Sequence, residues 1–251
     1  MFQKFLLPFV ISLCLCLTGC IADAPPDDED QDCASCDAVL NNRSIWPSGD
    51  IFLIVKTDFW TTDVWWALEN AAEELEENTP VRLRFIDEAS AGDYDYSRVF
   101  EGSFGWIVGG STYMGIQVPD HPAESGGWAV RHELGHVIGL YHTHQRKDRD
   151  EHIVIHWPHI DEENLHNFNR KDYAPTIGPY DIDSIMHYDS AAFSEGLGLC
   201  ATITVRDEDS SNDPEECLTP FSSDYWSIFP SSSYTDWNYT AISALYCDSR
   251  F

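Results

Sequence analysis

The sequence predicts an α+β domain whose first half is regular and whose second half is less regular. A continuous apolar run at residues 51–55 fits a strand buried on both faces. Apolar residues at helical spacing follow it, and residues 81–85 then alternate apolar and arginine side chains, as in a half-buried strand. Beyond Leu140 the chain shows few strong periods and no internal repeat.

The first predicted helix can be capped by Thr61 or Thr62, and Pro80 stops it. One face carries its apolar residues, and the other is acidic and solvated. The apolar residues are Val64, Leu68, Ala71, Ala72 and Leu75.

Glycines divide the region after the second predicted strand. Those at positions 102, 105, 109 and 110 break it into short strands that end near residues 116–118. Gly126 and Gly127 then precede a second helix, which we expect over about residues 128–140.

The composition describes an acidic protein with enough apolar residues for a core. The 14 basic and 43 acidic residues give a formal net charge of −29, and 43% of the residues are hydrophobic. A surface of that sign repels phosphate backbones and anionic headgroups, so we expect no nucleic-acid partner. The acidity indicates solubility in an extracellular or salty medium, and steering of basic substrates is the alternative.

The N-terminus predicts export. Lys4 supplies a positive charge before the apolar residues 5–17, which match the core of a signal peptide and are too short to span a bilayer. They run into Leu17-Thr18-Gly19-Cys20, which resembles a bacterial lipobox. We therefore expect residues 1–19 to be a signal peptide and Cys20 to carry the acyl chains of a stable lipid anchor. An ordinary secretory cleavage, with Cys20 free or removed, is the alternative.

The resemblance to a lipoprotein also bears on the destination and on the next segment. No Asp follows Cys20 directly, which favours the outer membrane or the cell surface. Residues 20–37 are rich in acidic side chains and proline, so we interpret them as a solvated linker. The globular domain is then residues 38–251. Whether residues 22–37 are a tether or an inhibitory segment stays open.

Three of the eight cysteines, Cys14, Cys16 and Cys20, belong to the signal and the lipobox. Cys200 and Cys217 are the expected disulfide in an exported protein, because they are close in the chain. An odd count among the remaining cysteines leaves one thiol unexplained. A metal site at Cys33 and Cys36 has weak support, since a lone CxxC lacks its second half.

The candidate catalytic residues lie in the second predicted helix. His132 and His136 are one turn apart on one face, so both imidazoles can bind the same metal ion. Glu133 projects beside them, where it can reach a water on the metal. Gly139 can end the helix with a sharp turn that brings back His142 as a third ligand. Three neutral donors leave a tetrahedral position open, as in a catalytic zinc site.

A single helical histidine is more often an ordinary core or surface residue. All five residues in register are expected by chance in roughly one sequence in ten thousand. Met186 follows this elongated zinc motif as the Met-turn of a metzincin does. It would form an apolar floor beneath the histidines without binding the ion.

The run HELGHVIGLYHTHQRKDRD at residues 132–150, with SIMHY at residues 184–188, resembles the astacin family of zinc endopeptidases. The resemblance implies a two-lobed metzincin (zincin-like) fold, with a twisted sheet and two long helices in the N-terminal lobe and a less regular C-terminal lobe. It also implies that substrate lies extended along an edge strand, and that Tyr188 is a further zinc ligand that swings away to stabilise the tetrahedral intermediate. Shorter matches cover nearly all of the mature chain: Trp46-Pro47, Asn78-Thr79, Val81-Arg82, Asn167-Phe168, Tyr180-Asp181, Phe193-Ser194 and Leu245-Tyr246-Cys247.

The chain departs from the family pattern in its activation and disulfide residues. Thr143 stands where the family has a Glu that receives the freed amino terminus of the activated enzyme. Pro80 replaces a cysteine that pairs near the C-terminus, so Cys247 would need Cys33 or Cys36 as its partner. The second family disulfide is also missing, because no cysteine lies between Cys36 and Cys200.

The sequence therefore predicts an exported, monomeric zinc endopeptidase that acts on protein or peptide substrates. His132, His136, His142 and Tyr188 would hold one Zn²⁺, and Glu133 and Tyr188 would be catalytic. Contact with a membrane would come only through lipid on Cys20.

Two other classes of function are weaker readings of the same residues. A zinc-binding surface module that does not cut would have no use for Glu133. A metal-storage protein is suggested by the ten histidines. Five of them outside the metal group lack a common ligand spacing: His144, His152, His156, His159 and His166.

Overall fold

A computed structural model describes residues 38–39, 46, 49–55, 62–87, 97–101, 106–108, 111–116, 122–195, 199–206, 213, 215–220 and 227–247. All of them fall in one compact unit, Cys33–Phe251. The predicted signal peptide, lipidated Cys20 and linker lie outside the described residues, as do Cys33 and Cys36. Within the described part of the chain, no helix is both long enough and apolar enough to cross a bilayer.

The first strand, β1 (Ala38–Val39), pairs with a strand from the second half of the chain, and the next five strands form one sheet. These are β2 (Asp50–Val55), β3 (Arg82–Ile86), β4 (Ser97–Glu101), β5 (Trp106–Val108) and β6 (Ser111–Ile116). The order is β3-β2-β4-β6-β5, with β5 antiparallel to β6 at one edge and the other pairs parallel. Strand β2 is the predicted apolar run. It pairs with a neighbour at each edge, and its residues Ile51, Leu53 and Ile54 are buried.

Helices α1 (Thr62–Asn78) and α2 (Pro122–Ile138) pack against each other, and their apolar residues share one core with strands β2 and β3. The predicted start of α2 near Trp128 is wrong, because the helix begins at Pro122 and includes Gly126 and Gly127. Proline fits the first helical position, where its missing N–H is not needed. Each internal glycine costs a helix only about 1 kcal/mol, which packing can offset.

The second half has less regular structure, as predicted. Strand β7 (Ile153–Ile155) pairs with β9 (Ile203–Val205), and β8 (Thr176–Ile177) pairs with β1, both antiparallel. Short 3-10 helices occupy Thr143–Gln145, Arg149–Glu151, Trp157–His159 and Glu162–Phe168. The predicted disulfide between Cys200 and Cys217 is present.

A third helix, α3 (Asp236–Cys247), was not anticipated by any sequence pattern. Its apolar residues Ala241, Ile242 and Leu245 are buried in the same core as α1 and α2. The side chain of Cys247 lies outside the described residues, so its predicted pairing stays a prediction.

Two hydrophobic clusters meet at residues 184–188. Ile185 and Met186 belong to the cluster built by the helices and the sheet. Tyr188, two residues further, packs against the second cluster, which includes Ile153 and Phe168. This short segment therefore joins the packing of the regular half to that of the less regular half.

Candidate metal centre and active site

Helix α2 presents the first two predicted ligands and then ends sharply. His132 and His136 are four residues apart, so they share one face of the helix. Gly139 follows the last helical residue with a φ of +119°, a conformation that side-chain-bearing residues rarely adopt. The amides of Gly139 and Leu140 both donate to the carbonyl of Gly135, at 3.2 and 2.9 Å, which closes the helix end.

The turn returns His142 to the other two histidines. Its Nε2 lies 3.1 Å from Nε2 of His132 and 3.1 Å from Nε2 of His136. Ligands about 2.0–2.1 Å from one zinc ion in tetrahedral geometry lie about 3.3 Å apart, so these nitrogens fit such an ion. Among the described residues, these three form the one group of His, Cys, Asp or Glu side chains arranged to hold a metal.

Backbone carbonyls fix which nitrogen of each helical histidine carries the proton. Nδ1 of His132 lies 2.8 Å from the carbonyl of Ile185, and Nδ1 of His136 lies 2.8 Å from that of Leu140. A carbonyl can only accept, so each Nδ1 is the donor and each Nε2 keeps its lone pair for the metal.

Burial also holds the three imidazoles in their neutral, metal-binding form. It lowers the pKa of His132, and it lowers the pKa of His136 to about 3, helped by the nearby His132. Burial and then the neighbouring histidines lower the pKa of His142 well below its usual value. A neutral imidazole is the ligand that zinc needs.

Glu133 lies beside these ligands and is not one of them. Burial raises its pKa to about 7, close to the value that suits a group that both takes and gives a proton near neutrality. Its Oε2 is buried and makes no hydrogen bond to any group in the described part of the chain. A buried, unpaired carboxylate oxygen next to a metal group is unusual in a purely structural site.

The predicted Met-turn supports the histidines from below. A Cβ atom on Gly135 would meet Sδ of Met186, so the helix and the turn are in direct contact. The carbonyl of Met186 accepts the amide of Thr143 at 2.9 Å, next to His142. The turn thus braces the third ligand as well as the helix, while Thr143 itself is 1% exposed.

Tyr188 lies beside the metal group. Its ring centroid is 4.5 Å from that of His142 and 4.0 Å from that of His144, on which it stacks. Burial and then the Glu133 carboxylate raise the pKa of Tyr188, which keeps the phenol protonated.

The family to which this site belongs is given by comparison with known proteins. The family model for Astacin, which is described as a peptidase family, matches residues 38–215. The chain belongs to the astacin family. The family consists of zinc metalloendopeptidases, and the three-histidine group fits their one catalytic Zn²⁺.

Individual members show how much of the chain the family covers. It is 30% identical over 162 residues to astacin-like metalloprotease toxin 1 of Loxosceles intermedia, covering 63% of this chain and 59% of the relative. It is 32% identical over 170 residues to astacin-like metalloprotease toxin 5 of Loxosceles gaucho, covering 62% of this chain and 83% of the relative.

A solved structure supports the fold. High choriolytic enzyme 1, a hatching enzyme zinc-protease from Oryzias latipes, superposes with a TM-score of 0.58 at 23% identity, covering 88% of this chain and 98% of that one. The predicted α+β metzincin fold of the astacin family is thereby confirmed. The sheet has β3 and β5 at its edges, with β5 antiparallel to its neighbour, and the binding of substrate along an edge strand stays a prediction.

Two aromatic residues that the sequence flagged only as family matches cap the helix that carries the ligands. Nε1 of Trp46 donates to the carbonyl of Val137 at 2.9 Å, and the hydroxyl of Tyr246 donates to that of Ile138 at 2.7 Å. Carbonyls at a helix C-terminus have no partner within the helix, so both bonds satisfy buried acceptors.

In the sequence, His144 is one of five histidines that lack a common ligand spacing, and no contact with the metal group is predicted for it. It is fully buried, and its Nε2–H donates to the carbonyl of Asn167 at 3.1 Å. Its ring stacks on Tyr188 and, at 5.3 Å between centroids, on His142. Its position two residues after a ligand was the available signal, but no local spacing rule assigns such a residue a contact.

Proposed function

We propose that the protein is an exported zinc endopeptidase that hydrolyses peptide bonds of extracellular or periplasmic proteins, with Glu133 as the general base. The observation that carries this proposal is the Glu133 carboxylate, which is partly buried beside three neutral histidines with Oε2 unpaired among the described residues. A site that only held zinc for stability would gain nothing from a carboxylate whose burial raises its pKa.

The chemistry follows from the residues around the metal group. His132, His136 and His142 would hold zinc, which when bound acts as a Lewis acid that acidifies water and polarises the scissile carbonyl. Glu133 takes the proton from the attacking water on its carboxylate and then delivers it to the leaving amine. Burial raises the pKa of Glu133, which makes its carboxylate a stronger base toward water than an exposed glutamate would be.

Tyr188 takes the role of an electrophilic donor in this proposal. Its hydroxyl stays protonated because burial and the Glu133 carboxylate raise the pKa of the phenol. A protonated phenol beside the metal group can donate a hydrogen bond to the oxyanion that develops on the carbonyl oxygen. Its stacking on His144 supports a defined resting position for the ring. Further ligation of the metal by Tyr188 is part of the same proposal.

The test of the general base is Glu133→Gln, which keeps the shape of the side chain and removes its basicity. We expect cleavage of a peptide library to fall by about 10²–10⁴, with zinc content and unfolding free energy close to those of the wild type. Zinc per chain is measured by atomic absorption, and chelator-sensitive cleavage by mass spectrometry. Near-wild-type turnover by a zinc-replete variant would contradict the mechanism. A wild-type protein that binds zinc and cuts nothing would favour a binding module instead.

The location of the protein is a separate part of the proposal. Lipid on Cys20 would attach the mature chain to a membrane, since each buried CH₂ contributes about 0.8 kcal/mol and the net charge of −29 offers no attraction to anionic lipid. Cys20→Ala should release the protein into the soluble fraction or block its maturation, whereas Cys16→Ala, inside the predicted signal, should not. Unchanged membrane fractionation of the Cys20→Ala protein would contradict the lipid anchor.

A further inference from the structure

We propose that Trp128 forms one wall of the substrate cleft and selects peptides that carry a large apolar side chain close to the scissile bond. This inference rests on the peptidase function proposed above and concerns which substrates the same site accepts. It is carried by the position of Trp128 on the ligand helix, its exposure and its contact with His132.

Trp128 lies on the face of α2 that carries the metal ligands. It precedes His132 by four residues, as His132 precedes His136, so the three side chains follow one another along one side of the helix. The indole packs against the imidazole of His132, with ring centroids 6.3 Å apart and planes at 76°. The indole therefore extends the row of ligands by one helical turn.

The exposure of Trp128 contrasts with that of its neighbours. The side chain is 48% exposed, whereas Val130 and Leu134 on the core side of the same helix are at most 1% exposed. Arg131 lies on another side of the helix, where its Nε binds Glu74 at 2.6 Å. The indole thus contributes little to the core and presents apolar surface to solvent directly beside the metal group.

The distances place that surface within reach of a substrate. A zinc ion would lie about 2 Å from Nε2 of His132, and the scissile carbonyl would lie next to the ion. An extended peptide advances about 3.3–3.6 Å per residue. A side chain one or two residues from the scissile bond can therefore cover an indole that touches His132.

The chemistry of the indole favours a large apolar partner such as Leu or Phe. Covering exposed apolar surface is favourable in proportion to the area removed from water, and aromatic rings add edge-to-face contacts. An acidic side chain is disfavoured, because the protein carries a net charge of −29 and Glu133 follows His132 directly. A cationic side chain can also stack on an indole.

The experiment compares matched peptides that differ at one residue, placed in turn at each of the two positions on either side of a bond that the wild type cuts. That residue is Phe, Leu, Ala or Arg. The proteins are the wild type, Trp128→Ala and Trp128→Phe, with Trp66→Ala as the control. Trp66 is an exposed tryptophan of helix α1, 63% accessible to solvent, and is not part of the metal group.

At one of the positions, Trp128→Ala should lower the ratio of kcat/KM for the Phe or Leu peptide to that for the Ala peptide by about tenfold, mainly through KM. Trp128→Phe should keep most of the ratio, and Trp66→Ala all of it. An equal loss on every peptide would overturn the proposal, because Trp128 would then only support His132. So would a ratio that does not change, or selective loss on the Arg peptide.

Binding is measured in parallel on the Glu133→Gln background, by fluorescence anisotropy of the labelled Phe and Ala peptides. Tighter binding of the Phe peptide that depends on Trp128 supports the subsite even if the wild type shows no turnover. Equal binding of both peptides overturns the subsite while leaving the peptidase function intact. The two failures are therefore distinguishable.

Discussion

A Cβ atom added to Gly135 would lie 2.5 Å from Sδ of Met186, closer than any real contact of this kind. The glycine lies between the two ligands of helix α2, and the methionine lies in the turn beneath them. The absence of a side chain at residue 135 therefore leaves the space that the thioether of Met186 occupies between the two histidines.

Gly135→Ala should therefore destabilise the protein by about 1–3 kcal/mol and weaken zinc binding, because the thioether of Met186 must move and that side chain, 1% exposed, is enclosed by the core. Alanine would stabilise an unhindered helix by about 1 kcal/mol, which makes the expected sign informative. Denaturant unfolding and zinc titration measure the two effects.

The matched control is Gly127→Ala in the same helix. There the added Cβ meets only Nη1 of Arg131, at 3.2 Å, and the end of that side chain can shift. We expect a neutral or stabilising change and unaltered zinc affinity. Equal destabilisation by both substitutions would mean that the contact with Met186 is not the cause.

Tyr246→Phe should cost about 1–3 kcal/mol of unfolding free energy. The substitution keeps the ring and leaves the carbonyl of Ile138, now bonded at 2.7 Å, buried without its donor. Tyr173→Phe is the control, because that side chain is 73% exposed and water can replace its hydroxyl contact. If the two variants unfold at the same denaturant concentration, the cap does not contribute.

His187 should make stability depend on pH on the acid side. Burial lowers the pKa of this side chain to about 4, although the carbonyl of Tyr188, 2.6 Å from Nδ1, opposes the shift. The unfolded chain takes up a proton near pH 6.5 and the folded chain only near pH 4. The unfolding free energy should therefore fall as pH drops from 6.5 to 4, by roughly 1.4 kcal/mol per pH unit.

The contribution of His187 to this pH dependence is isolated by measuring the unfolding free energy against pH for the zinc-loaded wild type and for zinc-loaded His187→Gln. The variant should lack that part of the slope, whatever its stability at neutral pH. His166→Gln, a change at an exposed histidine, should keep the wild-type slope. A His187→Gln profile parallel to the wild type would contradict the assignment.

The N-terminal segment should be dispensable for activity and should not inhibit. Thr143 is buried and uncharged, so an amino terminus facing it would lack a counter-ion, at a cost of several kcal/mol. Strand β1 is instead held by pairing of Ala38 with Ile177. A chain that begins at Ala38 should have the same specific activity as one that begins at Ile21.

A large gain in specific activity on truncation to Ala38 would contradict this prediction. If Cys36→Ala or Asp37→Ala in the longer chain gave the same gain, the substituted residue would be identified as an inhibitory zinc ligand. Asp32→Ala, outside that pair, serves as the control.

The metal group could be predicted from the sequence because it depends on local geometry. His132 and His136 are four residues apart on one helix, and Gly139 turns the chain within three residues, so helix and turn rules bring in His142. The disulfide between Cys200 and Cys217 could also be predicted from the sequence, because the two cysteines are only 17 residues apart in the chain. The start of α2 was misjudged because a local rule, that glycine pairs break helices, was outweighed by tertiary packing.

What the sequence by itself determined is therefore the three-histidine group, the carboxylate beside it and the family to which they belong. Only the tertiary structure decided what surrounds them. Trp46 and Tyr246 cap α2 at Val137 and Ile138, from which they are 91 and 108 residues away in the chain. No local sequence pattern predicts contacts at such separations. The pKa of Glu133 depends on burial by distant chain segments. The exposure of the Trp128 side chain depends on which face of α2 the core leaves uncovered. These properties arise from packing between segments far apart in the chain, which residue types and spacings do not specify.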